Sequence, residues 1–249
     1  MTKLAHSLSA KLRRWADRLD HQDARDARRL GVGLALYRCI RRVDARQEIR
    51  VVLDVGANSG EWAATVAKCL PSAELHCFEP QPACQLALQS LSKHNPRVHV
   101  HAMALGAQNG RLAMNANRFT PSSSFLRMTK RHVDLWPATA DTAEIEVLVR
   151  CLDDETSSLG TGMFLKIDVQ GYELQVLQGA TDTLTRTTLI VAEVLFESLY
   201  ENQSGVADLI AHLDAQGFRL AEVLHQHRPN GNEFIAYADL AFVSKSILR

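Results

Sequence analysis

Four carboxylates stand where an apolar run of this chain gives way to a turn: Asp54, Glu79, Asp168 and Glu193. Asp54 lies two residues before Gly56 in the stretch LDVGANSGEW, Leu53 to Trp62. Gly56 and Gly60 permit a tight turn and a close approach of ligand to backbone. Ala57 and Asn58 lie inside that turn, and the helix after it points its N-terminus at the ligand. The spacing is Gly-x-x-x-Gly, not the Gly-x-Gly-x-x-Gly that receives a pyrophosphate. An acid just before the first glycine suits a ligand with a positive end, such as an amino group or a sulfonium. Glu79 comes nineteen residues after Gly60, in Phe78-Glu79-Pro80. At the end of a second strand, such a carboxylate can accept hydrogen bonds from two ribose hydroxyls.

Asp168 closes Lys166-Ile167-Asp168, and Gln170-Gly171 opens the turn that follows. Ligands bind beyond the carboxyl ends of strands in open α/β sheets, so Asp168 is placed to face a reacting group. Glu193 and Glu197 flank the end of the next strand. An alcohol is a poor nucleophile until its proton is removed, which calls for a carboxylate or histidine at the reacting hydroxyl. The order of candidates is Asp168, then Glu193, then His225 or His227. Ser122, Ser123 and Ser124 offer hydroxyls, Ser123 to a cofactor carboxylate and Ser122 and Ser124, with His225, to an acceptor. Ala104 and Leu105 follow a third strand, where an adenine would stack. His99 and His101 alternate on a strand, as do His225 and His227, but two ligands are too few for a metal, and none is expected.

The elements that must position these groups alternate from Arg50 onward. Strands are expected at Val51 to Val55, Ala73 to Glu79, Val98 to Met103, Glu144 to Arg150, Met163 to Asp168 and Leu189 to Leu195. Helices are expected at Glu61 to Leu70, Pro82 to Lys93, Tyr172 to Gly179 and Val206 to Gln216. This βαβαβ rhythm implies a parallel sheet with helices on both faces. Gly217 to Leu224 and Ile235 to Ser244 read as closing strands, the last antiparallel. Asn109-Gly110 is a hairpin-type signal. Phe119 to Ala140 reads as an irregular loop inserted over the site.

Residues 1–48 have a different texture, with twelve Lys/Arg against six Asp/Glu. Leu4, Leu8, Leu12, Trp15 and Leu19 recur at helical spacing between basic residues, the pattern of an amphipathic helix. A second helix is expected from Ala24 to Arg42. This reads as a helical extension, 1–48, ahead of a ligand-binding domain, 49–249. Its apolar stripe packs on that domain or pairs two subunits, or its basic face touches a membrane surface. The whole chain has a formal net charge of zero, which gives no bias toward nucleic acid. Five cysteines with no Cys-x-x-Cys argue against a disulfide framework or a structural zinc site. The charged N-terminus lacks the apolar run of a secretory signal, and no stretch approaches the ~20 apolar residues of a membrane span. A cytoplasmic protein is expected.

The stretches VLDVGANSGEW, FEPQP, the three serines and LKIDVQGYELQVLQGA (Leu165 to Ala180) together resemble the FkbM family of methyltransferases. The resemblance covers roughly Val51 to Ser244, and its last motif is the most specific part. It implies a Rossmann-like class I methyltransferase fold, a mostly parallel seven-stranded sheet with an antiparallel closing strand. It implies S-adenosyl-L-methionine as cofactor and methyl transfer to a hydroxyl of a sugar or polyketide-type natural product. Asp54, Gly56, Ala57, Asn58, Gly60, Glu79, Pro80, Ala104, Leu105, Ser123 and Asp168 would then hold the cofactor. The Ser, Thr and Asn content of the inserted loop favours a sugar. Two other readings are a nicotinamide-dependent oxidoreductase and a non-catalytic domain that binds S-adenosylmethionine. The missing third glycine and the absence of a Tyr-x-x-x-Lys pair count against the first. The intact acidic and glycine positions count against the second.

Overall fold

The computed structural model describes residues 20–229 and 234–248. The amphipathic stretch from Leu4 to Leu19 lies outside the described residues. Seven strands form one sheet: β1 (Val51–Val55), β2 (Glu74–Phe78), β3 (Val98–His101), β7 (Met163–Ile167), β8 (Thr187–Leu195), β9 (Phe218–His227) and β10 (Tyr237–Ser244). Their order across the sheet is β3-β2-β1-β7-β8-β10-β9. All pairings are parallel except those of β10, which runs antiparallel to both β8 and β9. This is the mostly parallel, Rossmann-like sheet that the sequence implies. The strand order reverses between β1 and β7, so the crevice beyond their carboxyl ends is the place for a ligand.

Both faces of the sheet are covered. Successive side chains of a strand point to opposite faces. Val51, Leu53 and Val55 therefore join Leu165, Ile167 and Val194 in one core, while Val52 joins Leu75, Phe164 and Val191 in the other. Every position of β1 is buried, including Asp54, as expected of a central parallel strand. Helix α1 (Leu34–Asp44) packs Cys39, Ile40 and Val43 into the second core. The helices α2 (Glu61–Cys69) and α3 (Pro82–His94) follow β1 and β2.

A second sheet of three strands stands apart from the first. It holds β4 (Ala104–Leu105), β5 (Gly110–Asn117) and β6 (Thr142–Arg150) in the order β4-β6-β5. The hairpin expected at Asn109-Gly110 is corrected here. The turn does join β4 to β5, but β6 lies between them. Asn109 instead receives the Cys151 N–H at 2.7 Å and donates to Asp154 at 2.6 Å. The expected loop from Phe119 to Ala140 contains the short helix α4 (Lys130–Leu135), capped by the Thr129 hydroxyl. The chain continues through α5 (Leu152–Thr156), α6 (Glu173–Gln178), α7 (Thr181–Arg186) and α8 (Val206–Ala215). The single helix expected over Ala24 to Arg42 is broken. Residues 20–30 are helical, and α1 begins only at Leu34, after Gly31 takes the left-handed φ of 76°.

Candidate active site

The turn after β1 is held by bonds to β2. The N–H groups of Gly56 and Ala57 both donate to the Phe78 carbonyl, at 3.0 and 3.1 Å. Gly56 has φ 77°, and a Cβ there would overlap the Asp168 carbonyl oxygen, so only glycine fits between β1 and β7. Asn58 is also left-handed, at φ 48°. Its N–H donates to Glu79 Oε2 at 2.9 Å, and the Gln81 N–H donates to Glu79 Oε1 at 2.9 Å. Glu79 is only 3% exposed. Burial raises its carboxyl above the ordinary range, and these two backbone N–H groups oppose the rise. The fixed carboxylate borders a cavity of about 600 Å³, together with Gly56, Asn58, Pro80, Ala104, Leu105 and Asp168. Met114 and Phe125 add apolar wall, and Ser123 and Ser124 close the side.

Three residues expected at the cofactor lie outside that lining. Ala57 is buried in the second core. Gly60 turns toward α3, where a Cβ would press on Leu88 and Leu91 at 3.0 Å. Its missing side chain serves helix packing. Asp54 is 0% exposed and shares its face of the sheet with Lys166, its register partner on β7. The Lys166 ammonium stands 3.3 Å from Asp54 Oδ1 and donates to the Gly56 carbonyl at 3.1 Å. The two form a buried ion pair. Lys166 thus gives Asp54 a positive partner from within the protein. Burial by itself would lower the Lys166 ammonium, but Asp54 and Asp168 outweigh it and hold it above its ordinary value.

The ends of β7 and β8 carry the other acids. Gln170 has φ 57°, an uncommon value for a residue with a side chain. That conformation aims its amide between two carboxyls: Nε2 donates to Asp168 Oδ1 at 2.8 Å and to Glu193 Oε1 at 2.6 Å. Gln170 Oε1 accepts from the Tyr200 hydroxyl at 2.9 Å. Lys166 stands 3.6 Å from Asp168 on the other side. Burial and the neighbouring Asp168 charge push the Glu193 carboxyl well above its ordinary value. Beneath the turn, Glu173 accepts the N–H groups of Val169 and Gly171, both at 3.1 Å. Burial nevertheless pushes its carboxyl up to about 7.

The serines hold the inserted segment. Ser123 donates to Gln81 Oε1 and accepts the Asn117 N–H, both at 2.8 Å. Ser124 donates to the Gln170 carbonyl at 2.8 Å and accepts the Leu126 N–H at 3.0 Å. Ser122 faces a second cavity of about 790 Å³, bordered also by Asp168, Glu193 and residues of the inserted segment. A third, of about 980 Å³, lies toward α1 and is bordered by Lys166, Asp168, Glu193 and His225. Sequence reasoning passed over Gln81, Tyr200, Glu173 and His132, and read Gln170 only as part of a turn. A glutamine before glycine in a strand-end turn was the one available signal for a left-handed residue at 170. Nothing local marked the others. Among the described residues, no cluster of three or more acids, histidines or cysteines could hold a metal, and no helix is long and apolar enough to cross a membrane.

Comparison with known proteins agrees with this architecture. The chain is 32% identical over 162 residues to the 2-O-methyltransferase NoeI of Sinorhizobium fredii, covering 61% of this chain and 66% of that protein. It is 26% identical over 153 residues to the hexuronic acid methyltransferase AglP of Haloferax volcanii, covering 61% of this chain and 59% of that protein. The crystal structure of a methyltransferase FkbM from Methylobacillus flagellatus superimposes with a TM-score of 0.52 at 18% identity, over 78% of this chain and 43% of that one. The matches thus span two thirds or less of these relatives' own lengths. The model of the methyltransferase FkbM domain matches residues 54–220. This chain therefore belongs to the FkbM family of methyltransferases.

Proposed function

We propose that this protein is an O-methyltransferase that methylates a hydroxyl of a sugar. The observation that carries the reading is the position of Asp168. It borders the cavity beside Glu79 and also both neighbouring cavities. A carboxylate thus stands where a cofactor held in the first cavity and an acceptor held in another would meet.

The residues present fit the cofactor. The apolar walls at Ala104, Leu105, Met114 and Phe125 suit an adenine. Glu79 uses two of its roughly four acceptor positions on backbone N–H groups, which leaves others for ribose hydroxyls. When bound, S-adenosylmethionine would supply a methyl activated by its cationic sulfur, with a neutral thioether as the leaving group. The chain's own part is to align the alcohol and take its proton. Asp168 is the base, held by Gln170 and faced by the Lys166 ammonium. Glu193, whose carboxyl is pushed well above its ordinary value by burial, donates to the acceptor. Asp54 acts by fixing Lys166 rather than by touching the cofactor.

The sugar assignment draws on the relatives, one a 2-O-methyltransferase and one a hexuronic acid methyltransferase by name. Titration calorimetry with S-adenosylhomocysteine, with NADH as control, tests the cofactor. Micromolar binding of the first alone supports the reading; binding of NADH alone sinks it. Transfer of a labelled methyl to a panel of methyl glycosides then tests the acceptor class.

A further inference from the structure

His132 lies on α4, in the inserted segment, and is only 3% exposed. Neither ring nitrogen has a hydrogen-bond partner. Buried polar groups are nearly always satisfied, so such an imidazole calls for an explanation. His132 borders the 790 Å³ cavity, between the inserted segment and the ends of β7 and β8. It is held edge-on against Trp136 and Tyr200, with centroids 5.1 and 5.0 Å away. Burial lowers its pKa, so the imidazole is neutral and offers one donor and one acceptor.

The rest of the cavity wall has two chemical characters. Phe119, Trp136 and Tyr237 present aromatic surface. Asp168 and Glu193 present carboxyls at the end shared with the cofactor cavity. No lysine or arginine is among the described residues that border it, whereas Lys166 borders the cavity on the α1 side.

We propose that this cavity is the acceptor site and that it takes an uncharged pyranose, with one sugar hydroxyl held by His132 and another presented to Asp168. The aromatic wall suits the C–H face of a sugar ring. The Asp168 carboxylate, with no lysine or arginine among the described residues that border this cavity, discriminates against a uronic acid, because like charges brought together in a site are repelled. The inference rests on the methyl-transfer reading above and makes it specific.

The test uses the whole protein saturated with S-adenosylhomocysteine. Saturation-transfer NMR compares three neutral probes, the methyl glycosides of glucose, galactose and mannose, with methyl glucuronide. At least one neutral glycoside should bind, and the glucuronide should bind at least about tenfold more weakly. His132→Phe fills the imidazole's place without its hydrogen bonds and should abolish the signal. Trp136→Leu should weaken it about tenfold or more through lost ring contact. Calorimetric affinity for S-adenosylhomocysteine within about twofold of wild type shows that each variant is folded. Glucuronide binding as strong as the neutral sugars overturns the proposal and points to the Lys166 side. A signal that survives in a folded His132→Phe also overturns it, as does the absence of any sugar signal from protein that binds S-adenosylhomocysteine. Failure to bind S-adenosylhomocysteine at all would instead remove the methyl-transfer reading beneath it.

Discussion

The two halves of the site treat their polar groups in opposite ways. Beside β1 and β2, nearly every polar group already has a partner in the protein. Glu79 accepts Asn58 and Gln81, Ser123 joins Gln81 to Asn117, and the Asn58 side chain donates to Thr120 at 3.0 Å. Beyond β7 and β8, two carboxyls share one glutamine amide, and a buried imidazole has no partner. A saturated network is rigid and holds one shape, as a site for an invariant cofactor requires. Groups left unsatisfied raise the free energy of the empty site and are answered by the ligand that completes them. The difference is that between a mould and a socket.

Breaking the socket at its carboxylate should have the largest effect. Asp168→Asn keeps the shape but removes the proposed base, so kcat should fall by about 10²–10⁴ while S-adenosylhomocysteine affinity stays within a few fold. Equal loss of both would make Asp168 a binding residue and move the base to Glu193. The next effect belongs to the pair that joins the halves. Lys166→Met strands the Asp54 carboxylate in the core and should cost about 3–5 kcal/mol in denaturant unfolding. Asp54→Leu in the same chain should recover most of it, and no recovery would mean that Lys166 stabilises through other contacts.

The mould should fail differently. Glu79→Ala leaves the N–H groups of Asn58 and Gln81 without acceptors and should cost about 2–4 kcal/mol of stability together with cofactor affinity. If affinity falls but stability does not, the network is less tightly coupled to the fold than the comparison requires. The last effect is one of pH. Glu173 binds its proton more tightly in the folded protein, at about 7, than at the ordinary value of 4.5. The stability contributed by this proton is therefore complete below about 4.5 and is lost as the pH rises through 7. Glu173→Gln mimics the protonated form. Relative to wild type it should be more favourable at pH 8 than at pH 5, by about 3 kcal/mol, from urea unfolding at the two pH values. A pH-independent difference would place the Glu173 carboxyl near its ordinary value.

Much of this was legible in the sequence because it is local. The alternation of β-branched runs with helical stretches determined the strands, their parallel pairing and the buried centre of the sheet, because apolar periodicity decides which face of an element leaves water. The glycine at 56 and the acids at 79 and 168 could be placed at strand ends for the same reason. What decided their work was tertiary. Asp54 reads the same from sequence whether its cation belongs to a ligand or to Lys166, 112 residues away along the chain. Only the pairing of β1 with β7 brings Lys166 to its side. The three serines advertise hydroxyls, but only the folded segment shows that Ser123 and Ser124 use theirs on Gln81 and Gln170. Asn109-Gly110 suggests a hairpin because a turn signal describes four residues, while strand order depends on where β6 inserts. His132 carries no signal in its neighbours at all. Its importance arises from burial without a partner, a property of the space that distant segments enclose and not of the residues beside it.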